Sequence, residues 1–396
     1  MKIFQKNIIP MRVTTHIPGI PAVIFLIILL ITGDCIYPFE PQIDKYYNVL
    51  VIDGLLTNLP GSCYVKLSHT YPYNGRDYRS ETGAGVRIID DLGSEMILND
   101  AGNGLYLPED STFTGIIGRH YKVSIETASG GLFESGFEEL KEPVDIEDIY
   151  YQVVDKGDGI SGIQIYVNTW DPMKKSFYYA WDYREAWEYR VPYASVSDFL
   201  PELKICYKDV TSRKILIEST KSYIDDKVIE FPLFFVDNTT NRLSVKYSVL
   251  VRQYVLTEKT YQFFRNVKDI NENTGTLFDR TPVIMVGNIV NVLSPKEPVL
   301  GNFQVSGASE RTLFVYRDDL RDQMNVPSEY EFCDGRLLSM KEDRAQIDSL
   351  IRLGWVGMDT IPDPEKNDIL LGLVISRSCY DCRTNGTLKK PEFWEK

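Results

Sequence analysis

Short strand-like runs separated by turn residues fill residues 45–141 and constrain the fold more than any other feature of the sequence. Turn signals such as Asp91-Leu92-Gly93 lie between successive runs. Several short strands with frequent Gly and Asp turns are typical of a β-sandwich. The runs are Asn48–Ile52, Cys63–Ser68, Gly85–Asp90, Glu95–Leu98, Gly104–Leu107 and His120–Thr127.

Three of these segments also resemble a known type of sandwich. Val86–Gly93, Gly104–Tyr106 and Gly118–Ile125 are similar to the transthyretin-like or carboxypeptidase-regulatory-like fold. The resemblance implies a transthyretin-like or Ig-like β-sandwich over residues 45–141.

A second β-rich domain is predicted for residues 142–310, where the clearest strand is Tyr179–Tyr189. Its aromatic side chains occupy odd positions and its charged side chains mostly even ones, so the aromatics share one face. That face could form a platform on which a sugar or peptide stacks, with Trp181, Tyr183 and Trp187 as candidates. We favour core packing, because five open aromatics would make a large exposed apolar patch.

Two helices interrupt the predicted strands. Thr257 can cap residues 258–271, in which every third residue is apolar on one stripe. That stripe consists of Tyr261, Phe264, Val267 and Ile270. A weaker amphipathic pattern covers residues 341–353. The expected fold class is therefore mainly β with a few short helices.

The N-terminus carries an export signal. Basic residues precede the uncharged run Ile20–Ile31, which is too short to span a bilayer and has the length of a signal-peptide core. A small pair and then Cys35 follow, as in bacterial lipoprotein signals, although Asp34 intrudes before the cysteine. We predict a lipoprotein signal at residues 1–35 with Cys35 lipidated, then a tether at residues 36–44. An uncleaved anchor and simple secretion are the alternatives.

The overall composition limits the classes of partner. The 396 residues are 43% hydrophobic and 25% charged, so a globular core is expected. The net charge is −13 and the sequence has no Lys/Arg block, which argues against nucleic acid as a partner.

Catalytic motifs are missing from the sequence. After the signal only His69 and His120 remain, and the sequence has neither a Gly-x-Ser-x-Gly elbow nor a His-Glu-x-x-His motif. The oxygen-rich loops 155–159 and 237–241 look like fragments of calcium loops but lack a closing Glu, and we read them as turns. We therefore expect no enzyme activity, no metal and no cofactor, although a carboxylate pair remains possible.

Four cysteines are candidates for disulfides in an oxidising envelope: Cys206, Cys333, Cys379 and Cys382. We predict two bonds, with Cys379 and Cys382 reaching different partners, Cys206 and Cys333 in some order. These bonds would fasten a mixed, cystine-containing C-terminal region at residues 311–396. Cys63 would remain as a small apolar strand residue.

Five motifs of the later part of the chain are distinctive: Arg252–Phe264, Gly275–Asp279, Gly287–Gly307, Cys379–Gly386 and Lys390–Trp394. They resemble the Bacteroidetes domain-of-unknown-function family 4249, and the segment after Cys35 is similar to that family's tether. The resemblance implies an outer-membrane lipoprotein, often encoded beside a TonB-dependent receptor, but carries no functional residue over.

The leading prediction is thus a non-enzymatic, lipid-anchored protein of the cell surface. It would assist a TonB-dependent receptor by capturing or handing on a nutrient whose identity the sequence does not reveal. An adhesin or structural envelope protein is one alternative. A hydrolase with an unrecognised carboxylate site is the other.

Overall fold

The computed structural model describes residues 48–70, 79–191, 205–273, 287–328, 335–363, 365, 368–374 and 377–395. The predicted signal peptide, Cys35 and the tether lie outside these ranges, as does Cys333. The predicted mainly β fold with few short helices is confirmed.

The strands before residue 142 match the predicted runs closely, since β4 has the predicted bounds and β1, β2, β5, β6 and β7 are displaced by only a few residues. In chain order they are β1 (Leu50–Thr57), β2 (Tyr64–His69), β3 (Arg79–Ser80), β4 (Gly85–Asp90), β5 (Glu95–Asp100), β6 (Leu105–Pro108), β7 (His120–Glu126), β8 (Leu132–Ser135) and β9 (Glu138–Glu139).

The later strands are longer, and several of them had no clear signal in the sequence. They are β10 (Ile146–Asp155), β11 (Ser161–Trp170), β12 (Tyr178–Arg190), β13 (Ile205–Thr211), β14 (Leu216–Ser219), β15 (Lys227–Asp237), β16 (Lys246–Val255), β17 (Ile289–Asn291), β18 (Leu300–Tyr316), β19 (Gly335–Ser339), β20 (Val356–Asp363) and β21 (Asp368–Val374).

Three α-helices lie within the described ranges. Helix α1 (Glu258–Asn273) confirms the predicted helix and extends it by two residues. Helix α2 (Arg317–Leu320) is a single turn, and α3 (Arg344–Arg352) lies inside the predicted segment 341–353. None of the helices in the described ranges is long and apolar enough to cross a bilayer.

Strand β18 joins the two halves of the largest sheet. Its first half pairs in parallel with β1, and its second half pairs antiparallel with β16. The resulting path is β13-β12-β16-β18-β1-β2-β6-β5-β4-β7-β8-β17. The sheet is therefore continuous from the predicted N-terminal sandwich into the predicted second domain, and β18 itself crosses the boundary predicted at residue 310.

Two large cores lie on this sheet. The first takes residues from β1, β2, β4 and β7, but also Ile289, Val299, Phe303 and Val305 from much later in the chain. Residues 45–141 therefore do not complete their core alone. The second core lies between β12 and β16 on one side and the three-stranded sheet β10-β11-β15 on the other, as in a two-layer sandwich.

Candidate functional site

A cavity of about 400 Å³ lies between helix α1 and the outer face of the largest sheet. The helix reaches this position because β16 ends at Val255 and a cap follows at once. Thr257 Oγ1 accepts a hydrogen bond from the Thr260 backbone N–H at 3.2 Å. Helix α1 then packs over the sheet, where the Tyr261 ring contacts the Tyr178 ring with centroids 4.9 Å apart.

The walls of the cavity are mainly apolar. Helix α1 contributes Phe263, Phe264 and Val267, and Leu216 and Leu300 come from strands β14 and β18. A largely apolar cavity with a few convergent polar groups is the usual form of a small-molecule site.

The floor of the cavity is formed in part by the parallel pair β1 and β18, which places two polar residues side by side. Asp53 of β1 is the register partner of Asn302 of β18, and both residues line the cavity. Tyr64 of β2 points its hydroxyl at Asp53, with O–O distances of 3.4 and 3.5 Å. These distances exceed the ordinary range for an O–H···O hydrogen bond, so Asp53 keeps unused acceptor capacity.

A second carboxylate lines the same cavity. Asp182 of β12 accepts a hydrogen bond from the Tyr254 hydroxyl at 2.6 Å. Burial raises the pKa of Asp182, while the bond from Tyr254 and the charge of Arg252 oppose the rise. Burial also raises the pKa of Asp53, although this side chain keeps accessible surface towards the cavity. Asp182 is thus poorly solvated when ionised, whereas the Asp53 carboxylate remains open to solvent and to a ligand.

The arginine side chains near the cavity form ion pairs with neighbouring carboxylates. Arg252 donates to Glu310 from Nε at 2.9 Å and from Nη2 at 2.6 Å. Arg184 Nε donates to Asp209 at 2.7 Å on the same sheet face. The arginines therefore do not supply a free positive charge to the cavity.

Asn302 is the least satisfied polar residue of the cavity. It is 6% exposed, and its side-chain Nδ2 has no hydrogen-bond partner among the described residues. Buried amide N–H groups are normally paired, so an unpaired one at a cavity suggests a donor reserved for a ligand.

The aromatic residues considered for ligand stacking lie in the second core. Trp181, Tyr183 and Trp187 are 2%, 5% and 7% exposed. The Trp181 ring stacks on Phe231 with centroids 4.6 Å apart, and the Tyr183 ring stacks on Phe234 at 3.8 Å. Trp181 also borders the cavity, but its ring is committed to the core, and the structure offers no open stacking platform on this strand.

One of the two predicted disulfides is present. Cys206 of β13 bonds to Cys382, and the C-terminal segment then packs against β12 and β13, with Phe393 and Trp394 buried. Cys379 is a buried thiol with no disulfide partner among the described residues. Cys206 is bonded to Cys382, and Cys333, the other proposed partner of Cys379, lies outside the described residues, so the second disulfide stays a prediction.

The two histidines and the oxygen-rich loops have structural contacts. His69 Nε2 lies 2.8 Å from Glu81, and His120 Nδ1 lies 3.6 Å from Asp91. In the oxygen-rich loops, Asp155 accepts a backbone N–H from Gly157, and Asp237 accepts one from Thr239. Within the described ranges, no group of three or more His, Cys, Asp or Glu side chains could hold a metal ion.

Sequence reasoning missed the polar residues of the cavity. Asp53 and Asn302 are about 250 positions apart and come together only through parallel pairing of β1 with β18. One signal was available, because Asp53 interrupts the apolar run from Val49 to Leu56. A charge inside a strand-forming apolar run often marks a functional position.

Two comparisons with known proteins bear on the chain. A family model described as "Domain of unknown function (DUF4249)" matches residues 36–312, which include β1, helix α1 and most of β18. No protein of curated function matches the chain.

Proposed function

The chain belongs to the DUF4249 family, whose function is unknown, and we propose that it is a non-enzymatic binding protein of the bacterial cell envelope. It captures a small ligand in the cavity beside helix α1. The observation that supports this proposal is the cavity itself, which combines apolar walls, two carboxylates and an amide donor with no partner among the described residues.

The proposed location is the outer membrane, with a lipid on Cys35 and the folded part at the cell surface. The short uncharged run Ile20–Ile31 before Cys35 supports export and lipidation. The proposed partner is a TonB-dependent receptor, to which the protein hands its ligand. A lipid-anchored binding protein would raise the ligand concentration near such a receptor.

The lipid anchor and the partner are tested in the native envelope. Radiolabelled palmitate is expected to enter the full chain but not Cys35→Ala, with Cys63→Ala as the matched control. Affinity purification of the full chain from detergent-solubilised envelope is expected to recover a TonB-dependent receptor. Equal labelling of all three chains would refute the anchor, and recovery of structural envelope proteins alone would favour a structural role.

A hydrolase is the second candidate, because two carboxylates with raised pKa line one cavity. A carboxyl group whose pKa is raised by its surroundings is a candidate general acid. Under this alternative, purified protein would cleave glycosides or esters, and Asp53→Asn or Asp182→Asn would abolish turnover. A binding protein is expected to release no product from such a panel.

A further inference from the structure

Asn302 identifies the polar group that a ligand must carry. Its Nδ2 is buried at the cavity and has no acceptor among the described residues. A donor in this state is satisfied only if a ligand brings an acceptor oxygen or nitrogen. A purely apolar ligand would leave the amide unpaired.

Asp53, beside Asn302, supplies a hydrogen-bond acceptor instead of a donor. It is the register partner of Asn302, and among the described residues its carboxylate is approached by the Tyr64 hydroxyl at the long distance of 3.4 Å. Its carboxylate can therefore accept a hydrogen bond from a ligand. A donor and an acceptor side by side match a group that both accepts and donates, such as a hydroxyl or a primary amide.

The charges of the cavity select against ionised ligands. Asp53 and Asp182 line it, and only Lys214, an exposed residue, provides a positive charge along the lining. The two carboxylates would repel a ligand carboxylate. An ammonium group could pair with Asp53, but it has no lone pair to accept from Asn302.

We infer that the cavity binds a small, uncharged and mainly apolar molecule with one hydroxyl or primary amide, which accepts a hydrogen bond from Asn302 and donates one to Asp53. The apolar part lies against Phe263, Phe264 and Val267 of helix α1. This inference rests on the proposed binding function and specifies its ligand class.

The test uses the purified full chain and the fluorescent probe N-phenyl-1-naphthylamine, which is apolar and uncharged. Four unbranched competitors of eight carbons each differ in the head group: 1-octanol, octanamide, octanoate and octylamine. We expect 1-octanol and octanamide to displace the probe at concentrations about tenfold lower than octanoate or octylamine require, the change that one hydrogen bond of about 1.4 kcal/mol gives.

Two variants locate the site. Asn302→Leu has nearly the same shape and removes the donor, so it is expected to weaken the binding of 1-octanol about tenfold without lowering the melting temperature. Asn266→Leu, on the exposed face of helix α1, is the matched control. Val267→Trp should fill the cavity and abolish probe binding, whereas Lys259→Trp, on the exposed side of the same helix, should not.

The possible outcomes distinguish failure of the inferred ligand class from failure of the proposed binding function. Equal displacement by all four competitors, a preference for octylamine or octanoate, or no effect of Asn302→Leu would overturn the inferred ligand class and leave the binding function standing. Absence of probe binding, or binding that Val267→Trp does not change, would show that the cavity is not a ligand site, and the proposed function would fail with it.

Discussion

At the residue scale, the cavity carboxylates affect the stability of the fold. Burial raises the pKa of Asp53 in the folded state above its ordinary value, so the ionised carboxylate opposes folding. Stability linked to this group is present in acid and is lost as the pH rises through the raised pKa. Burial also raises the pKa of Asp182, so its contribution to stability depends on pH in the same direction.

We therefore predict that Asp53→Asn raises the melting temperature at pH 7, because the amide mimics the protonated carboxyl. The gain should shrink as the pH falls towards about 4, where the wild-type carboxyl is also protonated. Thermal melts between pH 4 and pH 8 provide the measurement. The exposed residue Asp322 offers a control, since Asp322→Asn should show little change. A gain for Asp53→Asn that is equal at all pH values would contradict this reasoning.

Gly301 is the residue on which the pairing of β1 with β18 depends. Its φ is +105°, and a Cβ there would lie 1.8 Å from the Ile52 carbonyl oxygen. We predict that Gly301→Ala lowers the free energy of unfolding by about 2–4 kcal/mol through strain and overpacking together. Gly93 also has a positive φ but open space around it, so Gly93→Ala should cost less in the same urea titration. Equal losses would mean that close packing at Gly301 is unimportant.

At the scale of elements, strand β12 shows how one pattern supports both the core and the site. Tyr179, Trp181, Tyr183 and Trp187 pack against the sheet β10-β11-β15, whereas Tyr189 packs beside the Cys206–Cys382 bond. Ala180 and Asp182 face the cavity. The alternation in the sequence predicted the two faces correctly. It did not reveal that helix α1 covers part of the outer face.

The two tryptophans of β12 allow a matched prediction. Trp181 Nε1 donates to Gln253 Oε1 at 2.8 Å, whereas Trp187 Nε1 has no partner among the described residues. Trp→Ala at either position should cost about 3–5 kcal/mol. Trp181→Phe should cost about 1 kcal/mol more than Trp187→Phe, because only the former loses a buried hydrogen bond. Chemical denaturation measures the free energy of unfolding of each variant. A larger loss for Trp187→Phe than for Trp181→Phe would contradict the assigned hydrogen bond.

At the scale of the whole molecule, the Cys206–Cys382 bond fastens the C-terminal segment to the sheet. The two cysteines are 176 positions apart, so the bond restrains a long stretch of the unfolded chain. Around it, Tyr207 exchanges backbone hydrogen bonds with Thr387, and the Trp394 ring contacts the Tyr207 ring. The segment after β21 is therefore part of the body of the protein.

We predict that Cys382→Ser lowers the free energy of unfolding by about 2–4 kcal/mol and exposes the C-terminal segment to proteases. Cys379→Ser is the control, because its thiol is free in the structure and its replacement should cost much less. Mass spectrometry of an unreduced digest should identify a Cys206–Cys382 peptide. A comparable loss in Cys379→Ser, with a Cys333–Cys379 peptide in the digest, would confirm the second disulfide predicted from the sequence.

The sequence by itself determined the class of the fold, most early strands, helix α1 and the two faces of β12. These features depend on local periodicity and on turn and cap residues, which neighbouring positions encode. Only the tertiary structure decided that β18 joins the two halves of the sheet and that Asp53 lies beside Asn302. Strand β18 is rich in Gly, Ser and polar residues, so it has little intrinsic strand signal. Its place follows from long-range pairing, which no local pattern specifies.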